Sequence, residues 1–379
     1  MEEVLIVATE ASADLHAARV LEELRLLRPT VTAFGMGGAH LRAAGLTALH
    51  QAEEMSVMGV AEVLPKLPLI LRILRELAAA AAARRPAVAL LVDSPDFNLP
   101  LAKRLRALGV KVVYYVSPSV WAWRRRRVKT IARFVDRMLC ILPFEESFYR
   151  GTGVSARFVG HPLAERPPPG PPAGYRAALG LGVGRTTIAL LPGSRRSEVR
   201  RIFPPMLDAA ERIRARHPDA QFVVPVASTL TPEVLAPYLA RHRALNVMLV
   251  RGQTEAAVGA SDAALVKSGT SVLEAALMLR PMVAVYRLSW ITYFVARLFV
   301  RLAHFTLVNI LAGRTLIPEL LQRDATPVRM AAEIEHLLED GSARAEQVRG
   351  LGEVRAALGS PGAPRRVAEE LAAYLGACP

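Results

Sequence analysis

The sequence predicts an α/β protein made of two successive doubly wound domains. Three observations carry that expectation: short aliphatic runs alternate with longer helical patterns, a proline-rich break divides the chain, and the same alternation restarts beyond it. In the first half the apolar, β-branched runs are 4–8, 31–34, 88–92, 112–116 and 138–142. Between them, 15–28, 69–84 and 100–108 carry apolar residues at helical spacing. Near-continuous apolar strands are what a parallel sheet covered on both faces needs. The segment Arg166-Pro167-Pro168-Pro169-Gly170-Pro171-Pro172 continues neither a helix nor a central strand and marks a boundary. After it the strand candidates are 187–191, 222–225, 247–250, 263–266 and 282–286, and past Pro327 the pattern is helical. The expected domains are therefore 1–165, 173–326, and a set of C-terminal helices, 327–379.

Composition excludes several classes. With 379 residues, 52% hydrophobic and 22% charged, the chain is globular and large enough for two cores. Lys and Arg number 48 against 34 Asp and Glu, and the resulting +14 points to an anionic partner. Lysine stands only at 66, 103, 111, 129 and 267, so the excess is arginine beside heavy alanine usage, a pattern that compositional bias also produces. Cys140 and Cys378 are far apart and outside any CxxC, which supports neither a disulfide framework nor a zinc site and fits a reducing cytoplasm. Met1-Glu2-Glu3 runs straight into the first apolar strand, so no secretory signal is expected. The most apolar long stretch, 291–311, contains Arg297, Arg301 and His304, which argues against a spanning helix.

Ligands of such sheets bind outside the carboxyl ends of the strands. The first strand ends in Thr9-Glu10-Ala11-Ser12-Ala13-Asp14, where Ser12 or Asp14 either caps the following helix or lines a substrate turn. No GxGxxG follows, which removes support for a dinucleotide-dependent dehydrogenase. Asp93-Ser94-Pro95-Asp96-Phe97-Asn98 places two carboxylates three apart in a proline-containing turn. Asp96 and Asn98 serve equally as caps for a helix from Leu99, whereas Asp93, first out of its strand, is the candidate general base. The run from Tyr114 through Ser117, Ser119, Trp121 and Trp123 to Arg124 interleaves aromatics with a basic stretch, as a stacking surface or as a buried wedge before a solvated helix. In the second half, Pro192-Gly193-Ser194-Arg195 follows a strand and precedes a helix, a plausible phosphate cradle without the Walker Lys-Ser/Thr pair. Lys267-Ser268-Gly269-Thr270 repeats that grammar, with Glu274 one turn in to accept from ribose hydroxyls. Two such loops in one domain suit a nucleoside diphosphate.

Taken together, these blocks resemble the lipid-A-disaccharide synthases, bacterial glycosyltransferases. The resemblance rests on Met58 to Leu64, Asp93 to Asn98, Tyr115 to Arg124, Leu142-Pro143-Phe144-Glu145, Gly160-His161-Pro162, Leu191 to Arg195 with Glu198, Ser268-Gly269-Thr270 with Glu274, and Asn309 to Arg314, in family order. It implies a GT-B fold, two Rossmann-like domains facing a central cleft, and transfer of the sugar of UDP-2,3-diacylglucosamine to 2,3-diacylglucosamine 1-phosphate. It also implies an inverting enzyme with no metal or other cofactor, peripheral to the cytoplasmic face of the inner membrane. By similarity Asp93 matches the catalytic base, Arg195 the arginine of the Pro-Gly-Ser-Arg loop, and Asn309 the asparagine of its block; Glu10, Ser12 and Asp14 fall on the acceptor side. The family glycines are replaced by Thr9 and Ala13, and Lys267 stands where a small residue is common. The expected partners are the two lipid substrates and an anionic membrane surface, without nucleic acid; a homodimer stays open, as does exchange of the C-terminal helices or their return to the first domain. Another UDP-sugar enzyme of this architecture, an epimerase or a lipid-intermediate glycosyltransferase, is the alternative.

Acylated substrates call for a cleft that opens to a bilayer. Val60, Val63, Leu64, Leu67 and Leu71 form one candidate face, and Trp290, Phe294, Leu298 and Leu302 with Arg297 and Arg301 another, each an interfacial surface or a packed one.

Overall fold

The computed structural model describes residues 2–55, 60–288, 293 and 303–376, without the side chains of 60–65. The chain divides into two compact units, Met1–Glu165 with Leu358–Pro379, and Arg166–Ala357.

The first unit runs β1 (Glu3–Ala8), α1 (Ala11–Leu27), β2 (Thr32–Gly37), α2 (Ala39–Ala43), β3 (Thr47–Gln51), α3 (Val60–Arg84), β4 (Val88–Val92), α4 (Pro95–Ala107), β5 (Lys111–Tyr115), α5 (Arg127–Phe134), β6 (Arg137–Cys140), α6 (Pro143–Tyr149) and β7 (Ala156–Phe158). Its sheet is parallel throughout, in the order β3-β2-β1-β4-β5-β6-β7. Alternate residues of β1 feed opposite cores: Val4, Ile6 and Ala8 pack with α1, while Leu5 and Val7 pack with Ile73, Leu74 and Leu77 of α3. Every residue of β4 is buried, the two-sided burial that makes it legible as an unbroken apolar run.

The second unit repeats the plan: α7 (Pro172–Leu179), β8 (Thr187–Leu191), α8 (Arg196–Arg216), β9 (Gln221–Val226), α9 (Ala236–Leu239), β10 (Met248–Arg251), α10 (Thr254–Gly259), β11 (Ala263–Lys267), α11 (Thr270–Leu277), β12 (Met282–Tyr286), α12 (Leu307–Ala312), β13 (Glu319–Leu321), α13 (Pro327–Glu339) and α14 (Gly341–Ala357). The parallel order is β10-β9-β8-β11-β12-β13. Helices α8 and α13 bury Phe203, Met206, Met330 and Ile334 against one face of this sheet.

Strands β3, β7 and β13 have no counterpart in the sequence reading. All three are sheet edges with partly exposed patterns, so they lack the continuous apolar signal of the central strands. The helices after Pro327 do not travel together. Helices α13 and α14 belong to the second unit, whereas α15 (Ala363–Ala372) lies on α1 and buries Val367, Ala368 and Leu371 in the first unit's core. Glu165 receives it, its Oε1 accepting from Gly362 N (2.8 Å) and Ala363 N (2.9 Å). No helix among the described residues is long and apolar enough to cross a membrane.

A buried imidazole, His161, and a partly buried one, His16, sit where this crossing is made. His161 donates its backbone N–H to Leu358 O (2.9 Å), and its Nδ1 accepts from Leu163 N (3.1 Å). Burial, aided by Arg19, lowers His16 to about 4; burial, aided by His16, lowers His161 to about 4. The unfolded chain therefore binds protons that the native state refuses between pH 6.5 and about 4. Stability should be full above pH 6.5 and fall progressively toward pH 4. Urea denaturation across that range checks this, and a His16→Gln, His161→Gln variant should show a flatter profile.

Candidate active site

In each sheet the strand order reverses between its first and fourth strands, β1/β4 and β8/β11. Connections leave the sheet in opposite directions at such a point and open a crevice beyond the carboxyl ends. The loops singled out in the sequence are those that meet there.

In the first unit Thr9 follows β1, and its Oγ1 donates to Ser94 Oγ (2.6 Å) after β4. Thr9 is the residue that replaces a family glycine, and neither it nor Ala13 has a positive φ. The turn therefore needs no glycine at either position. Instead, the strain lies in the other loop: Asp93 (φ 52) and Ser94 (φ 44) occupy the left-handed region consecutively, at a cost of about 1 kcal/mol or more each. Several bonds over-determine this conformation. Asp93 N donates to Tyr115 O (2.9 Å), and Asp93 O accepts from Asn98 Nδ2 (2.8 Å) and from Tyr114 Oη. Asn98 also donates to Val92 O (3.1 Å), and Ser94 O accepts from the amides of Phe97 and Asn98. Asn98 is completely buried, so it builds the turn rather than lining a surface. What this fixes in space is Asp93, whose partly buried carboxyl is raised above its ordinary value by desolvation, against the opposing pull of the Ser94 amide. A partly desolvated carboxylate at a strand end is a competent proton acceptor.

The surrounding residues separate into roles. Helix α4 begins at Pro95 rather than at Leu99, which puts Asp96 and Asn98 in its first turn. Asp96 is exposed and pairs with Arg124 (3.4 Å) and Arg127. Arg124, itself at φ 56, lies over the Trp123 ring at 4.3 Å. Ser119 is exposed, while Ser117 is buried against Tyr149 Oη (3.0 Å). Trp121 packs edge-on to Phe144 (4.9 Å) and donates Nε1–H to Glu145 Oε1 (3.3 Å). Burial pushes Glu145 up to about 7, with the Leu142 amide and Trp121 opposing. The aromatic run is thus half wedge and half surface.

Asp14 corrects an expectation. Helix α1 has Glu10 at its N-cap and no side-chain cap, and Ser12 is exposed in the first turn. Asp14 instead caps α2 from the neighbouring crossover: Oδ1 accepts from Gly38 N (2.6 Å) and Leu41 N (3.1 Å), and Oδ2 from His40 N (2.9 Å). A Cβ at position 38 would stand 2.7 Å from Asp14 Oδ2, which requires the glycine there. Sequence spacing gave no sign of this, because the partner helix is 24 residues away.

In the second unit Gly193, Ser194 and Arg195 lead into α8, with Arg195 at the N-cap and exposed. Thr229 Oγ1 holds Ser194 O at 2.7 Å. Across the switch point Lys267 ends β11, Ser268 is buried, Gly269 is the N-cap of α11, and Thr270 opens that helix. Lys267 Nζ reaches back to Glu198 Oε1 of α8 (2.9 Å), joining the two loops. Glu274 pairs with Arg166 (3.4 Å). Asn309 is completely buried, its Oδ1 accepting from Leu316 N and Ile317 N (2.9 Å each) and its Nδ2 donating to Ile317 O (2.9 Å). Its side chain therefore holds the backbone at Leu316 and Ile317 and presents no free polar group.

On α3, Leu67 and Leu71 are exposed, at 45% and 44%. Val60 and Leu64 belong to the same helix, but their side chains lie outside the description, as do Trp290, Phe294, Arg297 and Arg301. One cluster among the described residues has metal-ligand character, Asp208, Glu211 and His242, and it contains none of the residues above.

Solved structures place this architecture in a class. A UDP-GlcNAc 2-epimerase from Neisseria meningitidis superposes with TM-score 0.64 at 14% identity, covering 98% of this chain and 100% of that one. CalG4, the calicheamicin glycosyltransferase, gives 0.57 at 17%, covering 99% and 98%. The fold is that of the GT-B glycosyltransferases and related sugar-nucleotide epimerases, with two parallel-sheet α/β domains.

Within that class the family is specific. The model of the family described as lipid-A-disaccharide synthetase matches residues 4–363, and the lipid-A-disaccharide synthase of Anaeromyxobacter sp. (strain K) is 70% identical over 370 residues, covering 98% of this chain and 97% of that protein. The chain belongs to the lipid-A-disaccharide synthase family, glycosyltransferases that form the lipid A disaccharide.

The Asp14 cap gives a direct test. Asp14→Ala leaves three backbone donors without a charged acceptor and should lower unfolding free energy by about 2 kcal/mol or more, with Asp14→Asn losing less. Paired urea titrations measure the difference.

Proposed function

We propose that this chain joins UDP-2,3-diacylglucosamine to 2,3-diacylglucosamine 1-phosphate with inversion, giving the tetraacyl disaccharide 1-phosphate and UDP. The observation that carries the chemistry is Asp93, a partly desolvated carboxyl on a backbone held in the left-handed region at the β1/β4 switch point. Asp93 takes the proton of the acceptor's 6-hydroxyl as that oxygen bonds to the anomeric carbon. The bond from that carbon to the diphosphate breaks on the opposite face, and its electron pair leaves with UDP. The Ser194 and Thr270 helix starts, with Arg195 and Lys267, meet the charge that develops on the leaving diphosphate. The first unit takes the acceptor and the second the nucleotide.

Because both substrates carry acyl chains, the protein works as a peripheral protein on the cytoplasmic face of the inner membrane. Leu67 and Leu71, exposed on α3, supply apolar contact there, and the net charge of +14 favours anionic lipid.

Asp93→Asn should retain UDP binding while cutting turnover by about two orders of magnitude or more, measured as UDP release with defined acylated substrates. Wild-type kcat/KM should show an acid limb above the ordinary carboxylate range, since Asp93 is raised. Unchanged turnover removes Asp93 from the role. Wild-type protein should float with phosphatidylglycerol vesicles in a salt-sensitive manner, and a Leu67→Glu, Leu71→Glu variant should bind less. No flotation of the wild type defeats the membrane assignment.

A further inference from the structure

Glu198 lies in the first turn of α8 and turns back over the Pro-Gly-Ser-Arg loop. Its Oε2 accepts from Ser194 N (3.0 Å) and Arg195 N (3.3 Å), the two amides best placed to meet a phosphate at this helix start. Its Oε1 holds the Lys267 ammonium at 2.9 Å, with side chains only 15% and 17% exposed. Gly193 is at φ +112, and a Cβ there would collide with Glu198 Oε2, so the glycine accommodates the carboxylate itself. Burial alone would raise this carboxyl; Lys267 and the two loop amides more than offset that and hold it below its usual range. The Lys267 ammonium also lies 5.4 Å from the Tyr286 ring, which keeps it beside the crevice.

A glutamate at the third helical position commonly accepts from the N-cap amide, and glutamine serves that purpose equally well. An ordinary cap has no need of a lysine on another strand across the switch point. Lys267 is, besides, one of the residues that depart from the pattern of the family the sequence resembles. We propose that Glu198 is an internal anion of the donor site. In the nucleotide-free protein its carboxylate holds the same amides and the same ammonium that a nucleoside diphosphate uses, so binding and release proceed by exchange of carboxylate for diphosphate. When the nucleotide leaves, neither the loop amides nor the lysine is stranded without an acceptor, and the release of the anionic product is favoured. The inference rests on the donor-site reading given above.

Titration calorimetry of UDP and uridine against the wild type, Glu198→Gln, Lys267→Met and the double variant tests it. Glutamine preserves the cap but not the charge. Glu198→Gln should bind UDP about tenfold more tightly with uridine unchanged, and Lys267→Met should weaken UDP binding more in the Glu198→Gln background than alone. A thermal midpoint close to wild type shows that the variant is folded. If the wild type binds UDP and folded Glu198→Gln binds it no more tightly, Glu198 is a cap and the inference is overturned. If the wild type binds no UDP, the donor-site reading fails, and this inference with it.

Discussion

Each unit depends on one constraint, a parallel sheet whose strand order reverses at its first strand. Parallel strands require crossover helices, and those helices leave the sheet in opposite directions on either side of the reversal. In the second unit the backbone amides that begin α8 and α11 therefore lie at the carboxyl edge of its sheet, and in the first unit the turn that carries Asp93 lies at the carboxyl edge of the other. The apolar cores of the two faces supply the rigidity against which the Asp93-Ser94 turn is held in a sparsely populated conformation.

Backbone donors at helix starts are the second recurring theme. Asp14 satisfies those of α2, Glu165 those of α15, and Glu198 those of the loop before α8. The first two bind only the helix starts they cap, Asp14 while almost wholly buried. The third faces the crevice and is joined to a lysine of the opposing loop, and that difference in setting separates a cap from a ligand-exchange position.

Much of the arginine excess has found local work. Arg366 binds the carbonyls of Val159, Ser360 and Pro361; Arg176 binds those of Ala260 and Val183 together with Asp262; Arg25 binds that of Ala44; Arg137 and Arg157 share Glu370. A guanidinium has several donors in a fixed plane and can pin two or three carbonyls that helix ends leave open. The net charge therefore overstates the number of cations available to an anionic partner, while Arg195 remains exposed at the donor loop.

The central strands, and the loops that follow them at 193–195 and 267–270, are legible in the sequence, because two-sided burial forces unbroken aliphatic runs. Edge strands β3, β7 and β13 are not, since polar residues or a length of three leave them no aliphatic run, whereas the edge strand β10 keeps one in Met248-Leu249-Val250. Among the candidate residues, sequence singles out Asp93 and the Gly193 to Arg195 loop by their place after a strand. It did not show that Asp14 serves a different helix, that Asn98 and Asn309 are wholly buried, or that Glu198 and Lys267 pair across the switch point. Local spacing determines what a residue can do within its own strand, turn or helix; which distant amide or charge it meets is decided only when the sheet brings separate crossovers to one edge.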